Sequence, residues 1–294
     1  MPTIADLVPL VLLPAALVLV ARALSALVRR RSEAVADGVV TLAIAVALCV
    51  VLHAREIRPH LPLAPGESPW EWVFWLAPAA AVVGILDAWA RVPGLVRGVA
   101  RVVLAGGAAW LIVSRIDAHW IDDAARWQRI AGAAVLMAST WTALAWARDP
   151  ERGRAVAVSS VVGAGAGALI FGLVPNQGMA EALGAFSVAV GAAVAPFPPR
   201  YAIRLPSPAP ALVALVVGVI ALSGHSFLNY GDVVQYPLAT AALVVVAPAA
   251  GLLVPRGIRP VSAIALAALA ALLVVGAAVF ARHLFGNASA PSGY

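Results

Sequence analysis

Apolar positions in this chain do not alternate with polar ones. They come in long runs separated by short polar joints, at about 4–28, 34–53, 72–90, 95–114, 129–147, 155–174, 181–197, 209–228, 237–254 and 260–282. A run of roughly 20 apolar residues is the length a helix needs to cross the hydrocarbon core of a bilayer. In lipid a helix satisfies its own backbone hydrogen bonds, so the runs are read as helices. The pattern predicts an all-α, polytopic transmembrane bundle of about ten helices. It forms a single integral membrane domain over 1–294 with no separate soluble domain. The longest polar stretch, Ala54 to Pro69, reads as a loop. The seventh run is the shortest, and the joint before it, Pro175-Asn176-Gln177-Gly178, is tight. Residues 155–197 are therefore either two full spans or a re-entrant pair.

Composition supports lipid as the main solvent. Of the 294 residues, 63% are hydrophobic and only 12% charged, against about 25% charged in soluble domains. The net charge of +6 does not indicate nucleic acid, because the arginines sit in short clusters between apolar runs. That is the topology signal of membrane proteins and a mild attraction to anionic lipid. The expected partners are the lipid bilayer and, in one reading, other membrane subunits. The single cysteine, Cys49, lies inside an apolar run. It excludes an intramolecular disulfide and a thiolate metal cluster within one chain.

Charge also predicts orientation. The N-terminus carries Asp6 and no side-chain cation, and the first apolar run is followed by Arg29-Arg30-Arg31, the reverse of a secretory signal. It reads as an uncleaved anchor with the N-terminus outside. On that topology Arg55, Arg58, Arg115, Arg126, Arg129 and Arg282 lie outside and the other fourteen of the 20 basic residues inside, as the positive-inside rule requires. Both termini are then extracytoplasmic, in a membrane expected to be a bacterial inner membrane. Trp70, Trp72, Trp75, Trp110, Trp120 and Trp127 fall near the outer interface, Trp89 and Trp146 near the inner one.

Two features hint at internal repetition. Ala88-Trp89-Ala90-Arg91-Val92-Pro93 and Ala145-Trp146-Ala147-Arg148-Asp149-Pro150 close the third and fifth runs, and Pro-Ala-Ala recurs at Pro14, Pro78 and Pro248. Repeated helical hairpins would resemble the internal repetition of transporters. The glycines of Gly163-Ala164-Gly165-Ala166-Gly167 have the spacing that lets helix backbones approach closely.

Candidate chemistry is sparse. Asp87 is expected to pair with Arg91 one turn on, and Asp37, Arg97, Arg101 and Glu181 are expected near helix ends. Mid-depth hydroxyls read as packing aids bonded back to their own helices. His53, His60, His119, His225 and His283 all fall at or beyond the outer face, where a histidine can titrate or bind metal. The stretch Arg115 to Arg129 is expected to lie on the outer surface as an amphipathic helical segment, with Asp122 and Asp123 paired to Arg126. His119, Asp122 and Asp123, joined by His53 or His225, are the candidate metal ligands; the alternative is a solvated, salt-bridged rim. Ser226 next to His225, with Asp232 nearby, lacks the fixed geometry of a catalytic triad. No catalytic or cofactor-binding residues are assigned, and no cofactor is expected.

The prolines carry a separate expectation. A proline inside a helix removes the hydrogen bond to the carbonyl four residues earlier, here that of Leu10, Phe74 or Val244. In lipid such a carbonyl must find another partner or face a cavity. Pro14, Pro78 and Pro248 are therefore expected to be helix kinks directed into the bundle.

Three functional readings follow. One is a transporter-like protein for a neutral, hydrophobic or lipid-like solute. Another is a non-catalytic membrane subunit or scaffold of a larger complex. The third is an outer-face His/Asp metal protein or membrane enzyme. A central cavity opening to one side would favour the first.

Overall fold

The computed structural model describes residues 8–29, 32–56, 69–89, 92–114, 122–147, 150–172, 177–196, 203–227, 229–230, 233–234 and 236–285. Ten α-helices follow in chain order: α1 Leu13–Arg29, α2 Glu33–Ala54, α3 Val73–Ala88, α4 Gly94–Val113, α5 Asp123–Trp146, α6 Pro150–Gly172, α7 Gln177–Val194, α8 Ala209–Phe227, α9 Leu238–Val246 and α10 Pro260–Phe285. A π-helical turn, Val8–Leu12, leads into α1, and a 3-10 turn, Pro69–Trp72, leads into α3. A 3-10 helix, Ala247–Leu253, continues α9. A minimal ladder, β1 Asn229–Tyr230 with β2 Val233–Val234, follows α8.

Among the described residues, eight helices are long and apolar enough to cross a membrane. The fold is an all-α helical bundle, and the chain is a multi-pass membrane protein. The two remaining helices are α5, whose first turns are polar, and α9 with its extension, an apolar rod over Leu238–Leu253. The alternative of a re-entrant pair at 155–197 gives way to two full helices. With 23 and 18 residues, α6 and α7 reach about 34 and about 27 Å at 1.5 Å per residue.

Local chemistry sets the helix starts. The Ser32 hydroxyl accepts from the Val35 N–H at the start of α2, and the Asp122 carboxylate accepts from Ala125 N–H at 2.6 Å at the start of α5. Each satisfies an N–H that the first turn would leave unpaired. Proline opens α6 and α10, where its missing N–H costs nothing.

The bundle is built around α8. In the apolar window of α8, 89% of residues are buried, against 22% for α1 and 28% for α4 and α10. A helix that is hydrophobic all round belongs in the interior. Packed on α8 are α3, α4, α5 and α9. The circuit is completed by α2, α7 and α6, with α2 touching both α3 and α7. Outside the circuit, α1 packs on α2 and α7, and α10 packs on α6 and the α9 rod.

Small residues set the tightest contacts. Gly84 on α3 lies against the Pro208 carbonyl and Ala211 at the entry to α8, and a Cβ there would overlap both. Gly163 and Gly167 face the α9 rod, at Ala247, Pro248 and Val244, while Gly165 between them faces Ser187 of α7. The Gly-x-x-x-Gly spacing thus serves one helix contact and the intervening glycine another. Thr41, Ser139 and Thr142 bond back to their own helices, to the carbonyls of Asp37, Leu136 and Ala138. Two serines instead tie helices together: Ser187 donates to Val161 O on α6, and Ser159 donates both to Val156 O and to Pro248 O.

Candidate functional site

Loop alternation brings the ends of α1, α3 and α5 and the starts of α2, α4, α6 and α8 to one pole of the bundle, the arginine-rich one. Two charged clusters are drawn into it. The first surrounds Asp37, which is 5% exposed. Arg29 donates to its Oδ1 at 3.3 Å. Arg204, Ser207 N–H and the Ser207 hydroxyl donate to its Oδ2 at 3.3, 3.1 and 2.9 Å. Glu33, one turn before Asp37, also takes Arg29 and Arg204. The cluster therefore fastens α1, α2 and the approach to α8 together. Behind it, the buried Arg22 donates to Ala192 O at 3.2 Å and Ala193 O at 2.5 Å. The last carbonyls of a helix lack intrahelical partners, and a cation at that end is favoured by the helix dipole. Arg22 supplies both to α7.

The second cluster centres on Asp87, 7% exposed, at the end of α3. Arg101 of α4 grips it from Nε and Nη2, with contacts of 3.2, 3.1 and 2.9 Å. The Trp141 indole N–H of α5 donates to Asp87 Oδ2 at 3.2 Å. Arg101 Nη1 donates to Thr142 Oγ1 at 3.0 Å, and the guanidinium lies 5.8 Å from the Trp141 ring centre, within cation–π range. Burial leaves a carboxylate needing several donors and a counter-charge, and this arrangement provides both. The expected partner, Arg91, lies outside the described residues.

Arg22, Asp37 and Asp87 are all buried. Each lies within a few turns of its helix end, and a long arginine side chain lets a charge sited in one helix serve another.

Between the two clusters lies a cavity of about 470 Å³. Its walls include Glu33 of α2, Asp87 and Ala88 of α3, Leu144, Ala145 and Ala147 at the end of α5, Gly153 and Val156 of α6, and Arg204 to Ser207 with Pro210 at the entry to α8. The two copies of the Ala-Trp-Ala-Arg segment thus begin on walls of the same cavity, at Ala88 and Ala145. Its volume falls within the roughly 300–1,000 Å³ usual for ligand pockets.

The opposite pole is held differently. Arg55, after α2, pairs with Glu181 of α7 at 3.1 Å, and Gln177 donates to the same carboxylate. His225 Nδ1 lies 3.0 Å from Tyr236 O. The Tyr236 ring stacks on Phe171 at 4.8 Å, and burial pushes its phenol above the ordinary range, so it stays protonated.

The candidate metal ligands are distributed as follows. His53 is exposed in the last turn of α2, and His225 sits against Tyr236 at the end of α8. Asp122 is used as the cap of α5, and Asp123 is exposed and 3.6 Å from Arg126. His119 lies outside the described residues. Among the described residues, no three His, Cys, Asp or Glu side chains converge on a point that could hold a metal. From Asp122 onward the expected surface segment is instead the first turns of α5, because nothing between the Asp122 cap and Ile130 interrupts the helix.

The three prolines occupy distinct backbone settings. Pro14 is buried and follows the π-helical turn. Pro78 is inside α3, and the Phe74 carbonyl it deprives receives the Cys49 thiol at 3.2 Å. Pro248 is buried where the rod changes from α to 3-10 form.

Sequence reasoning identified Asp37, Asp87 and Arg101 as end-of-helix charges but missed their cross-helix partners, which are 8 to 170 positions away. The available signal was an acid or base inside an otherwise apolar run. Compared with protein-family models, curated proteins and solved structures, the chain matches none.

Proposed function

We propose that the protein is a carrier for a solute without net charge, loaded from the arginine-rich pole, which we assign to the cytoplasmic side of a bacterial inner membrane. The observation that carries this reading is the cavity of about 470 Å³ lined by helix ends at one pole, beside the first turn of the central helix. Its two carboxylates already have guanidinium partners, Glu33 in Arg29 and Arg204 and Asp87 in Arg101. A charged solute would add an uncompensated charge to a partly desolvated space, which is costly. A neutral or zwitterionic one would not.

The two ends of α2 support alternating access. One end is fastened through Glu33 and Asp37, the other through Arg55 and Glu181. Carriers commonly expose one face while the other is locked, by rocking one part of the bundle against another. On this reading the cavity at the arginine-rich pole is the loading site, and the Arg55–Glu181 pair is the lock on the opposite side.

The test is cysteine accessibility in sealed vesicles, in a Cys49→Ser background. Ala145→Cys should react with a membrane-impermeant maleimide from the cytoplasmic face. Adding Glu181→Gln weakens the opposite lock and should slow that reaction about two- to fivefold, the effect of an ion pair worth up to about 1 kcal/mol. A scaffold with no cargo predicts a rate indifferent to Glu181, and that result would refute the carrier reading.

A further inference from the structure

We propose that the cargo is a zwitterionic phospholipid of the phosphatidylethanolamine type, entering sideways with one acyl chain in a groove between α4 and α5 and its head group in the cavity. This rests on the carrier reading above and names its substrate class.

The groove has a volume of about 480 Å³ and an almost wholly apolar lining. Val102 forms its α4 side, and Ala134, Val135, Ala138 and Trp146 are on its α5 side. Val102, Val135 and Trp146 are strongly exposed on the bundle exterior, so the groove faces hydrocarbon. Thr142 also lines it, and the Thr142 hydroxyl accepts from Arg101. The same guanidinium grips Asp87, which lines the cavity. One arginine side chain therefore touches a wall residue of the oily groove on the outside and a charged wall residue of the cavity on the inside. A water-soluble solute has no use for the groove. A phospholipid needs both compartments, because its chains avoid water and its head group avoids hydrocarbon.

Charge selects the head group. When Arg101 lets go of Asp87, it can grip a phosphate, which matches its planar fork as a carboxylate does. Asp87 is then free to take an ammonium. One ion pair becomes two, and no buried charge is left alone. A phosphoglycerol head brings a phosphate but no cation, so it would strand Asp87 in a desolvated site.

Photo-cross-linking tests the proposal. Full-length protein is placed in nanodiscs doped with phosphatidylethanolamine carrying a diazirine in one acyl chain, and the adducts are mapped by mass spectrometry. Adducts should concentrate on 134–146 and Val102 rather than on the exposed faces of α1 and α10. Phosphatidylglycerol with the same chain should label the groove about tenfold less, the effect of one lost charge-assisted contact. Ala138→Trp, which fills the groove, should abolish the enrichment with helical content unchanged. Should that variant misfold, competition on the wild-type protein replaces it: unlabelled phosphatidylethanolamine should displace the probe and phosphatidylglycerol should not. Adducts spread evenly over α1, α4, α5 and α10, or equal labelling by both lipids, would overturn the proposal.

The Ala145→Cys experiment separates the two claims. Maleimide reactivity that responds to Glu181→Gln, without groove enrichment, removes the lipid cargo and leaves the carrier. Groove adducts with reactivity indifferent to Glu181 remove the cargo role and leave a static bound lipid.

Discussion

The Cys49 thiol on α2 donates a hydrogen bond to the Phe74 carbonyl on α3 at 3.2 Å, the carbonyl that Pro78 leaves without its helical N–H. A weak donor from a neighbouring helix thus stands in for the missing backbone one, in a setting without water to do so. Cys49→Ala should destabilise the folded protein by about 1 kcal/mol, the usual worth of one hydrogen bond. In a Pro78→Ala background the backbone N–H returns, and the same change should be close to neutral. Thermal unfolding of the four proteins in one detergent measures this coupling. Equal costs in both backgrounds would show that the thiol contact contributes nothing.

The Asp87–Arg101 pair should behave as a buried pair. Side-chain exposure is 7% and 13% for the two residues. Asp87→Ala strands a guanidinium and should cost about 3–5 kcal/mol. The double variant Asp87→Ala/Arg101→Met should recover most of that loss, because it removes the stranded charge while keeping bulk. Unfolding midpoints of the three proteins decide it, and a double variant no better than Asp87→Ala would contradict this account.

Glycines should divide by what surrounds them. Gly84→Ala places a methyl group on the Pro208 carbonyl and Ala211 and should cost about 1–3 kcal/mol as overpacking. Gly132→Ala in α5 meets nothing within 4 Å. It should be neutral or mildly stabilising, since alanine favours the helix. Stability ranking of these two variants checks whether α3 approaches α8 as closely as described.

Topology can be read directly. In a Cys49→Ser background, a cysteine at Ser32 should react with an impermeant reagent only from the cytoplasmic side, as both-termini-out orientation requires. Reaction only from the outside would invert the assignment.

The helices were legible in the sequence because lipid imposes length and apolarity on every span, and ten apolar runs became ten helices. The two candidate sites were legible to different degrees. Asp87 and Arg101 could be noticed as charges in apolar company. Their pairing could not, because it depends on α3, α4 and α5 converging at one pole. The 3-10 form at Ala247–Leu253 was also hidden: Pro248 announced a broken hydrogen bond, but not how the chain would repair it. The pull of Asp122 into a helix cap rather than toward Arg126 was readable in principle, since aspartate before a helical run is a common cap.

The 3-10 extension of α9 also changes how far a short segment reaches. As a continuous α-helix, the 16 residues of Leu238–Leu253 would extend only about 24 Å at 1.5 Å per residue. With seven of them in 3-10 form, rising about 2.0 Å each, the rod reaches about 27 Å. That nearly meets a hydrocarbon core about 30 Å thick. Pro248 thereby lets a segment too short for an ordinary span match the bilayer. Its replacement by alanine should draw Leu253 and Val254 inward by about 3.5 Å as the rod winds back to α-helix.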